Sequence, residues 1–382
     1  MNITITPHCL HGEVTVIPSK SQAHRLLICA AFADKPTQIV CCETNQDIEA
    51  TVACLRALGA QIDATDSGYT VFPVKNAPKT AVLPCCESGS TLRFMLPVVG
   101  ALGVDATFIM EGRLPNRPLS PLWEEMERMG CSLSRPTEST IRCQGKLRSG
   151  EYTIDGSVSS QFITGLLFAH MLMDNCTLNI TGKLESKPYV DLTKAAISLF
   201  ADLKSPGSVT VEGDWSNGAF WLAANALGCD LNIPGLNPDS LQGDRAVVEI
   251  LQQLELGAPT VSVADIPDLV PILSVVATAK HGVVFTNIQR LRLKESDRVS
   301  SVIALLENLG GKATATEDTL TIFSAILTGG TVDSFNDHRI AMAAAIAATV
   351  CTVPVTIIGA EAVKKSYPQF WVEFRQLGGK YE

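Results

Sequence analysis

The chain has 382 residues, of which 46% are hydrophobic and 18% are charged. This composition is typical of a folded protein of two or three domains, at roughly 150 residues per domain, and it excludes a largely disordered chain. The formal net charge of −9 disfavours a general binder of nucleic acid or of anionic membranes.

One apolar stretch is long enough to be considered as a candidate membrane span. Residues 340–360 carry no charge and reach the roughly 20 residues that cross a bilayer. Ala and Thr make up ten of these 21 residues and Pro354 interrupts the stretch, so the pattern predicts a buried helix followed by a strand. Residues 1–18 alternate like a strand and show no secretory signal.

The twelve cysteines are scattered and form no Cys-x-x-Cys motif. This distribution predicts free thiols in a reducing compartment, hence a cytoplasmic protein, and disfavours a disulfide framework. His8, Cys9 and His11 are close in sequence, but no second pair of ligands accompanies them, so no metal site is expected.

An internal repeat organises the chain. A first element, an amphipathic helix that ends in Leu-Gly followed by a small residue, recurs five times, and a degenerate copy has Lys204 in place of Gly. Each Gly is predicted to adopt the left-handed conformation that ends a helix. The six copies lie at 55–60, 126–131, 199–203, 254–258, 306–311 and 375–379.

A second element alternates with the first: a polar cap followed by an apolar helix. The spacing of its copies shortens after the third and fourth, where a hairpin is predicted to be missing. The two signals together predict an α/β (α+β) fold of six βαβαββ-type units in two domains. These helices are predicted to begin at Ser21, Ser90, Ser160, Ser216, Asp268 and Asp337.

Six equivalent helices can direct their N-termini toward one cleft, and a helix N-terminus attracts anions. Ser, Lys, Arg and Gln lie near these N-termini, so the sequence predicts a strongly anionic ligand. The signatures of P-loop nucleotide binding, dinucleotide binding, zinc hydrolysis and a serine nucleophile are missing.

Nine short motifs carry the polar residues. Gly89 allows close approach of the backbone to a ligand. Residues 292–298 hold three cations and two carboxylates at the start of a helix. In chain order the motifs are PSKSQAHR (18–25), ESGSTLRF (87–94), LPNRP (114–118), DGSVSSQF (155–162), SKPYVD (186–191), IPD (266–268), LKESDR (293–298), NDHR (336–339) and KKSYP (364–368).

Their identity and order resemble the 5-enolpyruvylshikimate-3-phosphate synthase (3-phosphoshikimate 1-carboxyvinyltransferase) family over essentially the whole chain. The resemblance implies the enolpyruvyl transferase fold, with two inside-out α/β barrel-like domains of three repeats each. It implies that residues 1–18 join 215–382 in one domain, that 19–214 form the other, and that the active site lies in the cleft between them.

The resemblance also implies the reaction, which transfers the enolpyruvyl group of phosphoenolpyruvate to the 5-hydroxyl of shikimate 3-phosphate in aromatic amino acid biosynthesis. It implies no metal or organic cofactor and a monomer without nucleic-acid or membrane partners. Asp268 would be the base and Glu295 the acid, and Lys20 would touch both substrates. The implied contacts with shikimate 3-phosphate are Lys20, Ser21, Arg25, Ser159, Ser160, Gln161, Ser186, Tyr189, Asp268 and Lys294. The implied contacts with phosphoenolpyruvate are Lys20, Gly89, Arg117, Gln161, Arg298, Arg339 and Lys365.

Three alternatives compete with this interpretation. The enolpyruvyl transferase of UDP-N-acetylglucosamine usually has Lys-Asn at the first motif and a Cys in the loop matching 112–118, whereas this chain has Lys20-Ser21 and no such Cys. An RNA 3′-phosphate cyclase finds no support in the motifs. A non-catalytic phosphosugar-binding homologue would need to have lost Asp268, Glu295 or Lys20. Arg290 stands where some relatives contact shikimate through Asn, and sensitivity to glyphosate stays open.

Overall fold

The helices of the chain occur in two alternating sets, as the repeat predicts. The computed structural model describes residues 1–382. The twelve α-helices are α1 (Lys20–Ala31), α2 (Gln46–Ala57), α3 (Gly89–Leu102), α4 (Leu122–Arg128), α5 (Ser160–Met171), α6 (Lys187–Leu199), α7 (Trp215–Ala226), α8 (Val247–Leu256), α9 (Val270–Ala279), α10 (Arg298–Asn308), α11 (His338–Ala347) and α12 (Phe370–Gln376).

The strands are short, and most lie between consecutive helices. In chain order they are β1 (Asn2–Thr6), β2 (His11–Glu13), β3 (Thr37–Val40), β4 (Gln61–Thr65), β5 (Gly68–Phe72), β6 (Thr80–Cys86), β7 (Asp105–Met110), β8 (Cys131–Thr137), β9 (Thr140–Gly145), β10 (Gly150–Asp155), β11 (Cys176–Thr181), β12 (Ser208–Thr210), β13 (Asp230–Asn232), β14 (Thr260–Ser262), β15 (Val283–Thr286), β16 (Lys312–Ala315), β17 (Thr319–Phe323), β18 (Gly330–Asp333), β19 (Val355–Ile358) and β20 (Lys380–Tyr381).

The chain divides into two compact units, each with its own hydrophobic core. One unit comprises Pro18–Val211, and the other comprises Met1–Ile17 together with Glu212–Glu382. The first is here called the inserted unit and the second the terminal unit. The chain passes from one to the other at two points, after Ile17 and after Val211.

The inserted unit contains three sheets. The order β12-β3-β5-β4 pairs β3 with β12 in parallel and with β5 antiparallel, and β6-β7-β9-β8 repeats this arrangement. The third sheet has only the parallel pair β10-β11. Nearly every residue of α3 is buried, as expected of a helix that is apolar on all sides. Gly165 of α5 lets this helix approach α3, because an added Cβ would lie 2.2 Å from the carbonyl oxygen of Arg93.

The terminal unit has the same arrangement of sheets, and one of them combines β1 with strands from the end of the unit. Its sheets are β13-β2, β14-β15-β17-β16 and β18-β19-β1-β20. In the last of these, β1 occupies the place that β5 and β17 occupy in the complete sheets, and β20 occupies the place of β4 and β16. The first and last strands of the chain therefore complete one repeat together. All ten residues of α11 are buried in this unit.

The predicted loss of a hairpin from the third and fourth units is confirmed. After α6 the chain enters β12, which belongs to the first sheet, and after α8 it enters β14, which belongs to the fifth. The hairpin that follows the corresponding helices elsewhere, such as β4-β5, is missing in both places. The two sheets of these units consequently have two strands each.

The predicted helix starts are confirmed to within two residues, and so are the predicted ends except that of the degenerate copy, where α6 ends at Leu199 and a 3-10 turn spans Ala201–Leu203. Polar side chains cap the starts of α1, α3, α5, α7 and α11, whereas α9 begins two residues after Asp268 and has no side-chain cap. Leu-Gly pairs lie at the ends of α2, α8, α10 and α12, and Met129-Gly130 follows α4. Gly257 does not take the predicted left-handed conformation, since its φ is 167°, which is extended backbone. Residues 340–360 form most of α11 and then β19, as predicted, and no helix in the structure has the length and apolarity that a membrane crossing requires.

Candidate active site

In the inserted unit, Lys20 lies at the first position of α1. The hydroxyl of Ser19 caps this helix by accepting the N–H of Gln22 at 3.4 Å, which leaves Lys20 on the first turn. The ammonium of Lys20 pairs with Asp47 of α2 at 2.8 Å, and about a sixth of each side chain is exposed. Asp47 therefore orients the cation, a role that the sequence patterns did not reveal.

A second group of residues surrounds the start of α3. A Cβ added to Gly89 would lie 2.6 Å from Nη1 of both Arg93 and Arg117, so only glycine permits these two guanidinium groups to approach the backbone so closely. Gln161 of α5 accepts from Arg93 Nη1 at 3.1 Å and donates to Ser90 Oγ at 3.0 Å. Gly89, Arg117 and Gln161, which the resemblance assigns to phosphoenolpyruvate, thus meet at one place, together with Arg93.

Arg25 lies deeper in the inserted unit, with 2% of its surface exposed. Its Nε donates to Thr193 Oγ1 at 2.8 Å, and its two terminal nitrogens donate to the carbonyl oxygens of Ser21 at 2.6 Å and Tyr189 at 2.9 Å. Burial lowers the pKa of the Arg25 guanidinium to about 10. Arg25 therefore fastens α1 to α6 and brings Ser21 and Tyr189 to the same cluster.

The remaining serines of the predicted phosphate site begin two further helices. Ser159 caps α5 by accepting the N–H of Gln161 at 3.3 Å, and Ser160 is the first residue of that helix. Ser186 is buried just before α6 and has a φ of 56°, the left-handed region that a residue with a side chain rarely adopts. A strained residue at a helix start is a frequent feature of binding sites.

In the terminal unit, Asp268 is surrounded by three cations. Its carboxylate lies 2.5 Å from Arg298 Nη1, 3.1 Å from Arg339 Nη2 and 3.7 Å from Lys294 Nζ. Burial acts to raise the pKa of Asp268, but these cations, with Arg339 first, outweigh it and hold the pKa well below its ordinary value. Asp268 is therefore ionised at neutral pH.

Arg298 binds three carboxylates at once and is only 1% exposed. Besides Asp268, it donates from Nε to Asp337 at 2.9 Å and from Nη2 to Glu295 at 2.8 Å. Although burial disfavours the charge, the three carboxylates raise the pKa of Arg298 well above its ordinary value. The resemblance assigns Arg298 to phosphoenolpyruvate, whereas in this structure its donors orient the two carboxylates that the resemblance assigns to proton transfer.

The three other cations that the resemblance assigns to substrate binding in this unit differ in their environment. Burial lowers the pKa of Lys294 to about 8. Arg339 donates to the carbonyl of Ser216 at 3.3 Å as well as to Asp268, and its main-chain N–H donates to Asp337 at 3.0 Å. Lys365 is largely buried and donates to the carbonyl of Asn336 at 2.8 Å.

Sequence reasoning missed several residues of these two clusters. Arg93 had one signal, a charged residue in an apolar helix that must be paired. Asp337 was placed at a helix start but was not connected with Arg298. Asp47 and Asp244, the latter buried beside Ser216, had no motif that could have identified them.

The sequence model of the family described as EPSP synthase (3-phosphoshikimate 1-carboxyvinyltransferase) matches residues 5–259 and 255–374. The chain belongs to this EPSP synthase family. The 3-phosphoshikimate 1-carboxyvinyltransferase of Clostridium kluyveri is 39% identical over 100% of this chain and 98% of its own length, and that of Clostridium acetobutylicum is 38% identical over 99% and 97%. The first alignment runs over 419 positions, so the relative has residues that this EPSP synthase family member lacks.

Solved structures of an EPSP synthase and of another enolpyruvyl transferase have the same fold. The EPSP synthase of Acinetobacter baumannii superposes with a TM-score of 0.80 and 23% identity, over 100% of this chain and 99% of its own. The enolpyruvyl transferase NikO of Streptomyces tendae gives a TM-score of 0.76 and 18% identity, over 100% and 98%. The enolpyruvyl transferase fold predicted from the motifs is confirmed, and the relatives support the EPSP synthase prediction over the UDP-N-acetylglucosamine alternative.

Proposed function

We propose that this protein transfers the carboxyvinyl group of phosphoenolpyruvate to the 5-hydroxyl of shikimate 3-phosphate, releasing phosphate, as a step of aromatic amino acid biosynthesis. The observation that carries the proposal is the match of the whole chain to enzymes named for this reaction. The two substrates each bear a phosphate and a carboxylate, and the clusters around Gly89 and Asp268 supply cations for such groups.

Two carboxylates are available for the proton transfers. Asp268 takes the proton of the 5-hydroxyl as its oxygen attacks the central carbon of phosphoenolpyruvate, and Glu295 protonates the methylene carbon, which becomes a methyl group. The resulting tetrahedral adduct then loses phosphate, which takes the proton held by Asp268, while the methyl group returns a proton to Glu295. Arg298 supports this pair of roles because it donates to both carboxylates and fixes their positions.

Substrate binding makes Asp268 a better base. Without substrate, Arg339 and Lys294 stabilise its ionised form and keep its pKa low. The anionic groups of the substrates compete for these cations and, when they bind, weaken this stabilisation, so the pKa of Asp268 rises toward the range that suits a base. Proton abstraction is thereby favoured only when the substrates are present.

The proposed contacts follow the family pattern, with one change suggested by the geometry. Lys20, Gly89, Arg117, Gln161, Arg339 and Lys365 bind phosphoenolpyruvate, and Arg298 acts mainly through Asp268 and Glu295. Lys20, Ser21, Arg25, Ser159, Ser160, Gln161, Ser186, Tyr189, Asp268 and Lys294 bind shikimate 3-phosphate. We further propose a monomer that needs no metal or organic cofactor, located in the cytoplasm, where twelve free cysteines would stay reduced.

The test is phosphate release from phosphoenolpyruvate without added metal, with shikimate 3-phosphate in one reaction and UDP-N-acetylglucosamine in another. Release only with shikimate 3-phosphate is the expected result. Asp268→Asn serves as the matched control, since it removes the base and changes few atoms. Release with UDP-N-acetylglucosamine alone, or with neither acceptor from protein that binds shikimate 3-phosphate, would refute the proposal.

A further inference from the structure

One more carboxyl group, that of Asp244, lies near Arg339, one of the cations that surround Asp268. Asp244 belongs to the 3-10 turn Gly243–Ala246, and 2% of its surface is exposed. Gln242 fixes this turn to the start of α7, because its side chain accepts the N–H of Trp215 at 3.1 Å and donates to the carbonyl of Gly213 at 2.9 Å. The turn consequently holds a buried acid beside the first residues of α7.

A continuous series of contacts leads from Asp244 to Asp268. The hydroxyl of Ser216 donates to Oδ2 of Asp244, and the carbonyl of the same serine accepts from Arg339 Nη1 at 3.3 Å. Arg339 then donates from Nη2 to Oδ2 of Asp268 at 3.1 Å. The guanidinium of Arg339 thus faces two carboxyl groups, one directly and one through Ser216.

We propose that Asp244 is a positioning residue for proton transfer: by sharing Arg339 with Asp268, it limits how strongly that cation stabilises the ionised base. The inference rests on the proposed function, because it concerns the basicity of Asp268 in that reaction. A negative charge near Asp268 also disfavours its ionised form directly. With both effects, Asp268 is a stronger base than it would be if only Arg298, Lys294 and Arg339 surrounded it.

The charges around Asp244 give this arrangement a defined pH range. The charged groups that face it are Asp268 and Asp214, which oppose its ionisation, and Arg339, which favours it. Burial first, and Asp268 next, raise the pKa of Asp244 to about 6, although Arg339 and the hydroxyl of Ser216 act in the opposite direction. Asp244 therefore carries its charge at pH 7 and loses it below pH 6.

The same balance sets the sign of the effect on stability. A carboxyl group whose pKa is higher in the folded than in the unfolded protein favours folding at low pH, and this contribution is lost as the pH rises from about 4 to about 6. Ionised Asp244 is therefore unfavourable for the fold at pH 7. If Asp244 had a purely structural role, its ionised form would be expected to stabilise the fold at pH 7.

The experiment compares Asp244→Asn with Asp239→Asn, an exposed carboxylate five residues earlier. Asp244→Asn is expected to lower kcat roughly three- to tenfold without raising the KM for phosphoenolpyruvate, because Asp268 becomes a weaker base while Arg339 becomes more available. The Tm of the unliganded variant should exceed that of the wild type at pH 7, and the difference should vanish near pH 4. Asp239→Asn should change neither quantity.

The pH dependence of kcat distinguishes a positioning role of Asp244 from a purely structural one. The wild type should lose part of its kcat below about pH 6, and Asp244→Asn should lack that step. Ser216→Ala should move the step to higher pH, because the hydroxyl that lowers the pKa of Asp244 is gone. An Asp244→Asn variant with full kcat, or with a lower Tm and an unchanged profile, would overturn the inference. An inactive wild type would instead refute the proposed function itself.

Discussion

The role of Arg298 can be tested by Arg298→Gln, which removes one buried charge and leaves Asp268, Glu295 and Asp337 without their common partner. Deleting one member of a buried ion pair costs about 3–5 kcal/mol. For a unit of this size each kcal/mol lowers Tm by about 2–4 °C, so we expect a fall of about 6–20 °C in the transition of the terminal unit. Turnover should fall as well, since both carboxylates lose their orientation.

The assay is thermal unfolding of the unliganded protein, combined with kinetics at saturating substrate. Arg117→Gln is the matched control, because Arg117 is partly exposed near Gly89 and belongs to the inserted unit. It should weaken phosphoenolpyruvate binding with little change in Tm. If Arg298→Gln left Tm unchanged and raised only the KM for phosphoenolpyruvate, Arg298 would be a ligand clamp and its role as an organiser of carboxylates would be refuted.

Three further predictions concern single residues. Gly89→Ala should raise the KM for phosphoenolpyruvate by at least about tenfold, because the added Cβ would lie 2.6 Å from Arg117 and Arg93 and displace them; an unchanged KM would contradict this packing. Because the pKa of Lys294 is about 8, the affinity for shikimate 3-phosphate measured by calorimetry should fall between pH 7 and 9, and Lys294→Arg should abolish that dependence. Asp268→Asn and Glu295→Gln should keep measurable substrate binding but lose turnover by about 100-fold or more, and equal losses of both would argue against proton-transfer roles.

Local sequence signals predicted much of the fold. A polar cap before an apolar run, as at Ser159, and a Leu-Gly pair after one, as at Leu309-Gly310, are signals that depend on a few neighbouring residues. The missing hairpins were also visible, because a shortened interval between two repeats leaves no residues to form them. The extended conformation of Gly257 was not predicted, since the same Leu-Gly pair ends helices with different backbone angles.

The site was predicted less completely, for a physical reason. Motifs identify which residue types occur, whereas the partners of a buried charge depend on segments far apart in the chain. Arg298 and Asp337 are separated by 39 positions, and nothing near either residue indicates the other. Asp244 lies in an ordinary turn, and its importance arises only from its burial next to Ser216 and Arg339.

The closure of the last sheet by β1 has a consequence for the order of folding. The inserted unit is continuous in sequence, so all its contacts are available once residues 18–211 have been synthesised. In the terminal unit, Thr4 exchanges main-chain hydrogen bonds with Glu382 at 2.9 and 3.0 Å. Contacts between residues so far apart in the sequence form slowly, because a long loop must close before the contacts can form. On the ribosome the inserted unit can therefore fold first, while β1 stays unpaired until β19 and β20 have been synthesised.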